Sequence, residues 1–280
     1  MRRMSAIVLH SYTISPYSAK VRAVLRWKGL AFREQVVHPA RRRIVRAISG
    51  QSRLPVLEDG GRVIADSTRI VAYLDETYPE RPVLPADPVE RGRARVLEEW
   101  ADEGLPHVVQ PVRWLMATNF PRVAAQLRSA YPQNDAGEDL FFALVARGLR
   151  LDMARRFGPR IGFGKPTRHL HRLTEVLDDL EAAIGPSGWL LAETPTVADF
   201  AVAGWISLLR GLDGWETVRV RRKVTKLAKA LIPEDVTTAA PGASEQSAPA
   251  AAAPEREAYD SDDQALIEAS RLRRAALAGQ

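Results

Sequence analysis

Three short segments of this chain hold residue types that suit the handling of a thiol carried by a peptide-like ligand. The first is Ser15-Pro16-Tyr17-Ser18. Serine at an N-cap followed by proline at the first helical position marks a helix start. Such a start leaves backbone N–H groups unpaired and turns the positive end of the helix dipole outward. Both favour a thiolate in front of it, and the Ser15 hydroxyl can donate a hydrogen bond to it. The dipole contributes roughly 0.5–2 kcal/mol, and a hydrogen bond to a charged group roughly 1.5–3 kcal/mol. At about 1.36 kcal/mol per pKa unit, the two together bring a thiol from about 8.5 toward 6–7. The sulfur must come from a ligand, because the chain has 0 cysteines. Disulfides, a catalytic thiol and a thiolate metal site are excluded on the same ground.

The second segment is Leu54-Pro55, just before a strand-like run. Proline cannot donate to a sheet ladder, so here it marks a strand start. The third is Asp66-Ser67, at the head of another helix. A helix N-terminus favours an anion such as a carboxylate, and Asp66 suits an ammonium group beside it. One group of each charge is what a γ-glutamyl end presents. The same pair also serves as an ordinary helix cap.

The elements that must position these segments follow from periodicity. Residues 6–10 read as a strand, and 15–28 as a helix with Tyr17, Val21, Val24 and Leu25 at helical spacing. Residues 32–37 read as a second strand and 41–48 as a short basic helix. A third strand begins at 54–57, Asp59-Gly60-Gly61 makes a hairpin turn, and 62–65 returns as the fourth strand. Asp66-Ser67 then opens a helix with Ile70, Val71 and Leu74 on its stripe. The order β-α-β-α-β-β-α is that of a thioredoxin-like domain. In that architecture a proline placed like Pro55 is cis and faces the first helix. The backbone of Leu54 is then open to an extended peptide, which pairs with it like an added strand.

On these motifs the chain resembles the glutathione S-transferase superfamily. Ser15-Pro16-Tyr17-Ser18-Ala19-Lys20-Val21-Arg22 is similar to the start of many bacterial members. Leu54-Pro55-Val56-Leu57, followed by Ala65-Asp66-Ser67, resembles the family's second signature. The resemblance implies a GST-like fold: an α/β thioredoxin-like N-terminal domain at 5–80, a linker at 81–88 and an all-α C-terminal domain at 89–232. It implies that glutathione is the co-substrate, activated by Ser15 and held by Leu54, Pro55, Asp66 and Ser67. Arg53 and His38 fall where members often contact the glycyl end, and Tyr12 is a rival hydroxyl donor. It further implies a small hydrophobic electrophile as the second substrate, a detoxification role and a homodimer. Val112, Leu115 and Met116 are candidates for the acceptor pocket, with core packing as the alternative.

The rest of the chain adds boundaries. In the helical half, one helix carries Val96, Leu97 and Trp100 as its apolar residues, and Thr196-Val197-Ala198-Asp199 reads as a structural capping box. A single basic helix is expected over 218–230. Residues 119–164 match the family poorly, and 162–199 resembles the metaxin-like branch, whose members are not all enzymes. A non-catalytic binding or scaffold protein is therefore the rival reading, while a disulfide oxidoreductase fails for want of cysteine. His169 and His171 lack further ligands, so no metal is expected. The net charge of +6 gathers partly at Arg219–Lys229 without aromatic interleaving, so nucleic acid is not expected as a partner. Residues 233–264, rich in Ala, Pro, Ser and acids, read as disordered, with a short helix expected at 265–278. No apolar run reaches the length of a membrane span, and 6–9 is too short for a signal-peptide core. A cytoplasmic location is the expectation.

Overall fold

The computed structural model describes residues 7–131, 136–161, 166–234 and Leu272. Apart from those positions, the expectations for the tail lie outside the described residues. Four strands form one mixed sheet: β1 (Ile7–Ser11), β2 (Phe32–Val36), β3 (Val56–Asp59) and β4 (Arg62–Ala65), in the order β2-β1-β3-β4. β1 runs parallel to β2 and antiparallel to β3, and β3 and β4 form the hairpin. Three helices accompany them: α1 (Pro16–Trp27), α2 (Arg42–Ser49) and α3 (Ser67–Thr77), with a 3-10 turn at Pro39–Arg41 before α2.

Side chains alternate across a strand, and β3 shows which helix covers which face. Leu57 joins the core built with Val21, Val24 and Leu25 of α1 and Ile70, Val71 and Leu74 of α3. Its neighbour Val56 joins Ile44, Val45 and Ile48 of α2. The sheet is thus covered by α1 and α3 on one face and by α2 on the other. The N-terminal ends of α1 and α3, where Ser15 and Asp66 stand, belong to the same side.

The helical half contains α4 (Pro88–Gly104), α5 (Pro106–Gln110), a π-helical turn (Pro111–Leu115), α6 (Phe120–Ser129), α7 (Ala136–Ile161) and α8 (Pro166–Ala183). It ends with α9 (Val197–Ser207), α10 (Gly214–Arg219) and α11 (Arg222–Leu231). Every residue of α9 is buried, and it packs between α1 and α4. Its capping box is built from Asp199: Oδ2 accepts from Thr196 N and Oγ1 at 2.8 and 2.9 Å, and Oδ1 accepts from Leu190 N at 2.8 Å. The core around α1 and α3 continues without a break through α4, α8, α9 and α11.

Two details differ from the periodicity. α4 buries Ala94, Glu98, Ala101 and Asp102, and leaves Val96 and Trp100 exposed at 69% and 40%. The alanines let α9 approach closely, and the two acids meet a buried lysine described below. The expected single basic helix over 218–230 is two, α10 and α11, with the break at Val220-Arg221.

Candidate functional site

Ser15 caps α1. Its backbone is extended (φ −93°, ψ 126°), and its Oγ accepts from Ser18 N at 3.2 Å. Accepting that bond occupies an oxygen lone pair and leaves the hydroxyl proton available to donate. The preceding loop is closed by Ser15 N donating to Tyr12 O and Tyr12 N donating to Ser18 Oγ, both at 3.2 Å. Ser15 remains half-buried while Ser18 is fully enclosed. α9 supports this turn from beneath at Gly204. A Cβ there would lie 2.7 Å from the carbonyl oxygen of Pro16.

The Leu54–Pro55 peptide is cis. The β3 ladders to β1 and β4 begin at Val56, paired with His10 and Ala65. Leu54 therefore stands just outside both ladders, half-buried, with Pro55 buried and Arg53 exposed. Asp66 is the N-cap of α3, its Oδ1 accepting from Thr68 N and Arg69 N at 3.1 and 3.2 Å. Its φ of +80° is rare for a residue other than glycine. Ser67 behind it is buried.

Tyr17, in the first turn of α1, marks where these parts meet. Its hydroxyl donates to Asp102 O at 3.1 Å, and its ring meets Trp205 edge-on with centroids 5.6 Å apart. Burial pushes the phenol well above its usual range. Asp102, Glu103 and Asp66 push the same way, and Arg53 pulls back. The fields of Arg53 and Asp66 thus converge on one phenol, two residues along from Ser15.

The other expected residues make contacts of their own. The Tyr12 hydroxyl accepts from Arg42 Nε at 2.8 Å, with the guanidinium 5.5 Å from the ring centre. His38 Nδ1 accepts from Ala40 N at 3.2 Å. Its ring lies 5.2–5.3 Å from those of Tyr131, Phe141 and Phe142. Tyr131 also donates to Val37 O at 3.0 Å, so the chain just after α6 and the start of α7 dock just past the end of β2. Burial lowers the pKa of His38. Val112 and Met116 are core residues. Leu115 is half-buried and packs, like Tyr12 and Ile14, on the second apolar cluster beneath α6 and α7. His169 is buried, whereas His171 is exposed and faces Glu175 at 3.1 Å. Among the described residues no group of three or more His, Asp or Glu gathers as a metal site.

Sequence reasoning missed a buried ion cluster beneath the site. Lys20 of α1, 1% exposed, donates from Nζ to Glu98 Oε1 at 2.8 Å and to Asp102 Oδ2 at 2.6 Å. Thr68 Oγ1, in the first turn of α3, donates to the same Glu98 Oε1 at 2.9 Å. Burial alone would lower the lysine pKa, but Asp102 and Glu98 reverse this and raise it. Burial raises Asp102 against the pull of Lys20. The available signal was a lysine inside an apolar helix together with two acids four residues apart on α4.

Comparison with known proteins agrees with this architecture. Residues 9–82 match the family model "Glutathione S-transferase, N-terminal domain", and 167–230 match "Glutathione S-transferase, C-terminal domain". Glutathione S-transferase U6 of Arabidopsis thaliana is 32% identical over 96 residues, covering 34% of this chain and 43% of the relative. A probable maleylacetoacetate isomerase of Caenorhabditis elegans is 32% identical over 102 residues, covering 35% and 47%. The chain spans less than half the length of the first curated relatives it matches, 40–47%. The solved structure of FzlA from C. crescentus shares the fold, with a TM-score of 0.59 at 22% identity over 85% of this chain and 95% of that one. With both domain models matched in their proper order on a thioredoxin-like sheet and a helical second half, the chain belongs to the glutathione S-transferase superfamily.

Proposed function

We propose that the chain is a glutathione transferase that adds the glutathione sulfur to a small hydrophobic electrophile. The observation that carries this reading is the Ser15 hydroxyl. It caps α1 by accepting from Ser18 N and keeps its own proton for a thiolate set before the helix end. In this reading the ligand lies extended along Leu54, outside the ladders of β3. Its γ-glutamyl end reaches Asp66 and Ser67 at the head of α3, with Arg53 nearby. The thiol proton leaves to solvent. The thiolate attacks the electrophilic carbon, a C–S bond forms, and the leaving group departs with its bonding pair. The rate gain comes from ionisation and from holding the two reactants together. Ile14, in the loop before Ser15, and Leu115, half-buried on the same apolar cluster, are the proposed acceptor-side residues.

The chain also acts, in this proposal, as a homodimer. Support comes from Val89, Val96 and Trp100, which leave an apolar stripe exposed along one side of α4. Light scattering after gel filtration would report the dimer mass.

The deciding experiment is calorimetric titration with reduced glutathione, following ultraviolet thiolate absorbance against pH in parallel. Saturable binding with a thiol pKa well below that of free glutathione is expected. Ser15→Ala should raise the bound thiol's pKa by about 1–2 units and lower kcat/KM at neutral pH about 10- to 150-fold, the loss of a hydrogen bond to a charged group. Wild-type activity in Ser15→Ala would move the role to Tyr12. No binding at millimolar glutathione would overturn the transferase reading in favour of a scaffold. The α6 and α7 helices, outside both family models and docked just past the end of β2, favour that alternative.

A further inference from the structure

We infer that Lys20, Glu98 and Thr68 form a positioning unit that fixes the separation between the two helix N-termini of the glutathione site. This inference rests on the glutathione reading above. Two helix ends must hold the ligand at once, α1 at its sulfur and α3 at its γ-glutamyl group. The sheet joins the two helix ends only through β3, because α1 follows β1 and α3 follows β4 at the far edge, and the apolar packing of α1 on α3 carries no directional bond between their first turns. One atom adds a polar bond to each helix. Glu98 Oε1 on α4 accepts from Lys20 Nζ, in the second turn of α1, at 2.8 Å. It also accepts from Thr68 Oγ1, in the first turn of α3, at 2.9 Å. Asp102 locks the lysine from one turn further along α4, at 2.6 Å, and its backbone carbonyl holds the Tyr17 hydroxyl.

Stability is a weak explanation for the unit. A buried ion cluster gives little net stability over apolar side chains of the same volume. Its distinctive contribution is direction: short charge-assisted hydrogen bonds tolerate little movement. A ligand bound at both ends loses affinity when the anchors shift, even when each anchor is intact. The unit touches neither the sulfur nor the reacting carbon, so its residues position and do not catalyse.

Thr68→Val gives the cleanest test, because it keeps the side-chain shape, deletes one hydrogen bond and lies at an exposed position. Glutathione Kd and KM should rise about 5- to 10-fold, with kcat at saturating glutathione and the bound-thiol pKa unchanged. Lys20→Met should weaken glutathione further, and Lys20→Arg should recover part of the loss, both read by calorimetry on protein whose fold is checked by circular dichroism. A Thr68→Val protein that melts earlier but binds glutathione with wild-type Kd overturns the inference and leaves the unit as packing. A shifted thiol pKa in Thr68→Val overturns it as well, because the unit would then act on the sulfur. Failure of the wild-type chain to bind glutathione overturns both this inference and the function it rests on. An unchanged variant Kd beside a binding wild type overturns this one alone.

Discussion

At the scale of single residues, Gly204 is a position with little room. A methyl group there meets the Pro16 carbonyl oxygen, a backbone atom at the turn that holds Ser15. Overpacking against an atom that cannot rotate aside costs about 1–3 kcal/mol. Gly204→Ala should therefore lower the melting temperature by about 2–12 °C, at about 2–4 °C per kcal/mol for a chain of this size, and weaken glutathione along with it. A scanning calorimeter and a titration calorimeter measure the two effects. Ser15, Leu54 and Asp66 were legible in the sequence because each is a local device: a cap, a proline before a strand, a cap again. Their backbone geometry follows from neighbours within a few residues. Tyr12 and His38 were expected at the ligand on their place in the chain alone. Their side-chain directions depend on Arg42 and on the aromatic cluster of Tyr131, Phe141 and Phe142, which come from distant sequence. Lys20 was legible as a residue of the opening motif, but not as a partner of Glu98, since that pairing spans 78 positions.

At the scale of elements, the first strand, the first helix and the second strand are fastened by one carboxylate. Glu34 of β2 accepts from Ser11 Oγ of β1 at 2.6 Å and from Arg22 Nε of α1 at 2.9 Å. Burial would raise its pKa, but Arg22 and Ser11 outweigh this, and the carboxyl is held below its usual range. A carboxyl with a depressed folded pKa adds stability that is present above the unfolded value, about 4.3, and is lost as pH falls through the folded value. Glu34→Gln should thus destabilise the chain at pH 7, by about 1–3 kcal/mol, and the difference from wild type should shrink steadily below about pH 4. Denaturant unfolding of both proteins at several pH values measures this directly. A difference that stayed constant down to pH 2 would contradict it. The sheet and its three helices were readable because hairpin, caps and alternation all agree. The facing of α4 was not legible, since its buried side is made of alanine and acids and its exposed side carries Val96 and Trp100. Apolar periodicity marks a buried face only when the partner surface is apolar.

At the scale of the whole molecule, two apolar clusters divide the work, besides the one between the sheet and α2. The larger joins the α1 and α3 side of the sheet to α4, α8, α9 and α11, and the smaller lies beneath α6 and α7. The larger one was foreseeable from two domains of familiar pattern. The smaller was not, because α6 and α7 lie outside both family models and Tyr131, Phe141 and Phe142 meet His38 and Val37 across long sequence separation. Among the described residues, no helix is long and apolar enough to cross a membrane.

The complete burial of α9 has a consequence for how the chain opens. A helix with an exposed side can lose its amide protons to solvent through small local openings. α9 has no such side, and its first turn is closed by Asp199. Its amides become reachable only when α1 and α4 part from it together, which dismantles both halves of the chain. In deuterated buffer the amides of Phe200 to Trp205 should therefore be the last to exchange, at a rate set by global unfolding. Those of α6 and α7, which rest on the smaller cluster, should exchange sooner. The helix that supports the Ser15 turn would then also report, by mass spectrometry, the stability of the entire fold.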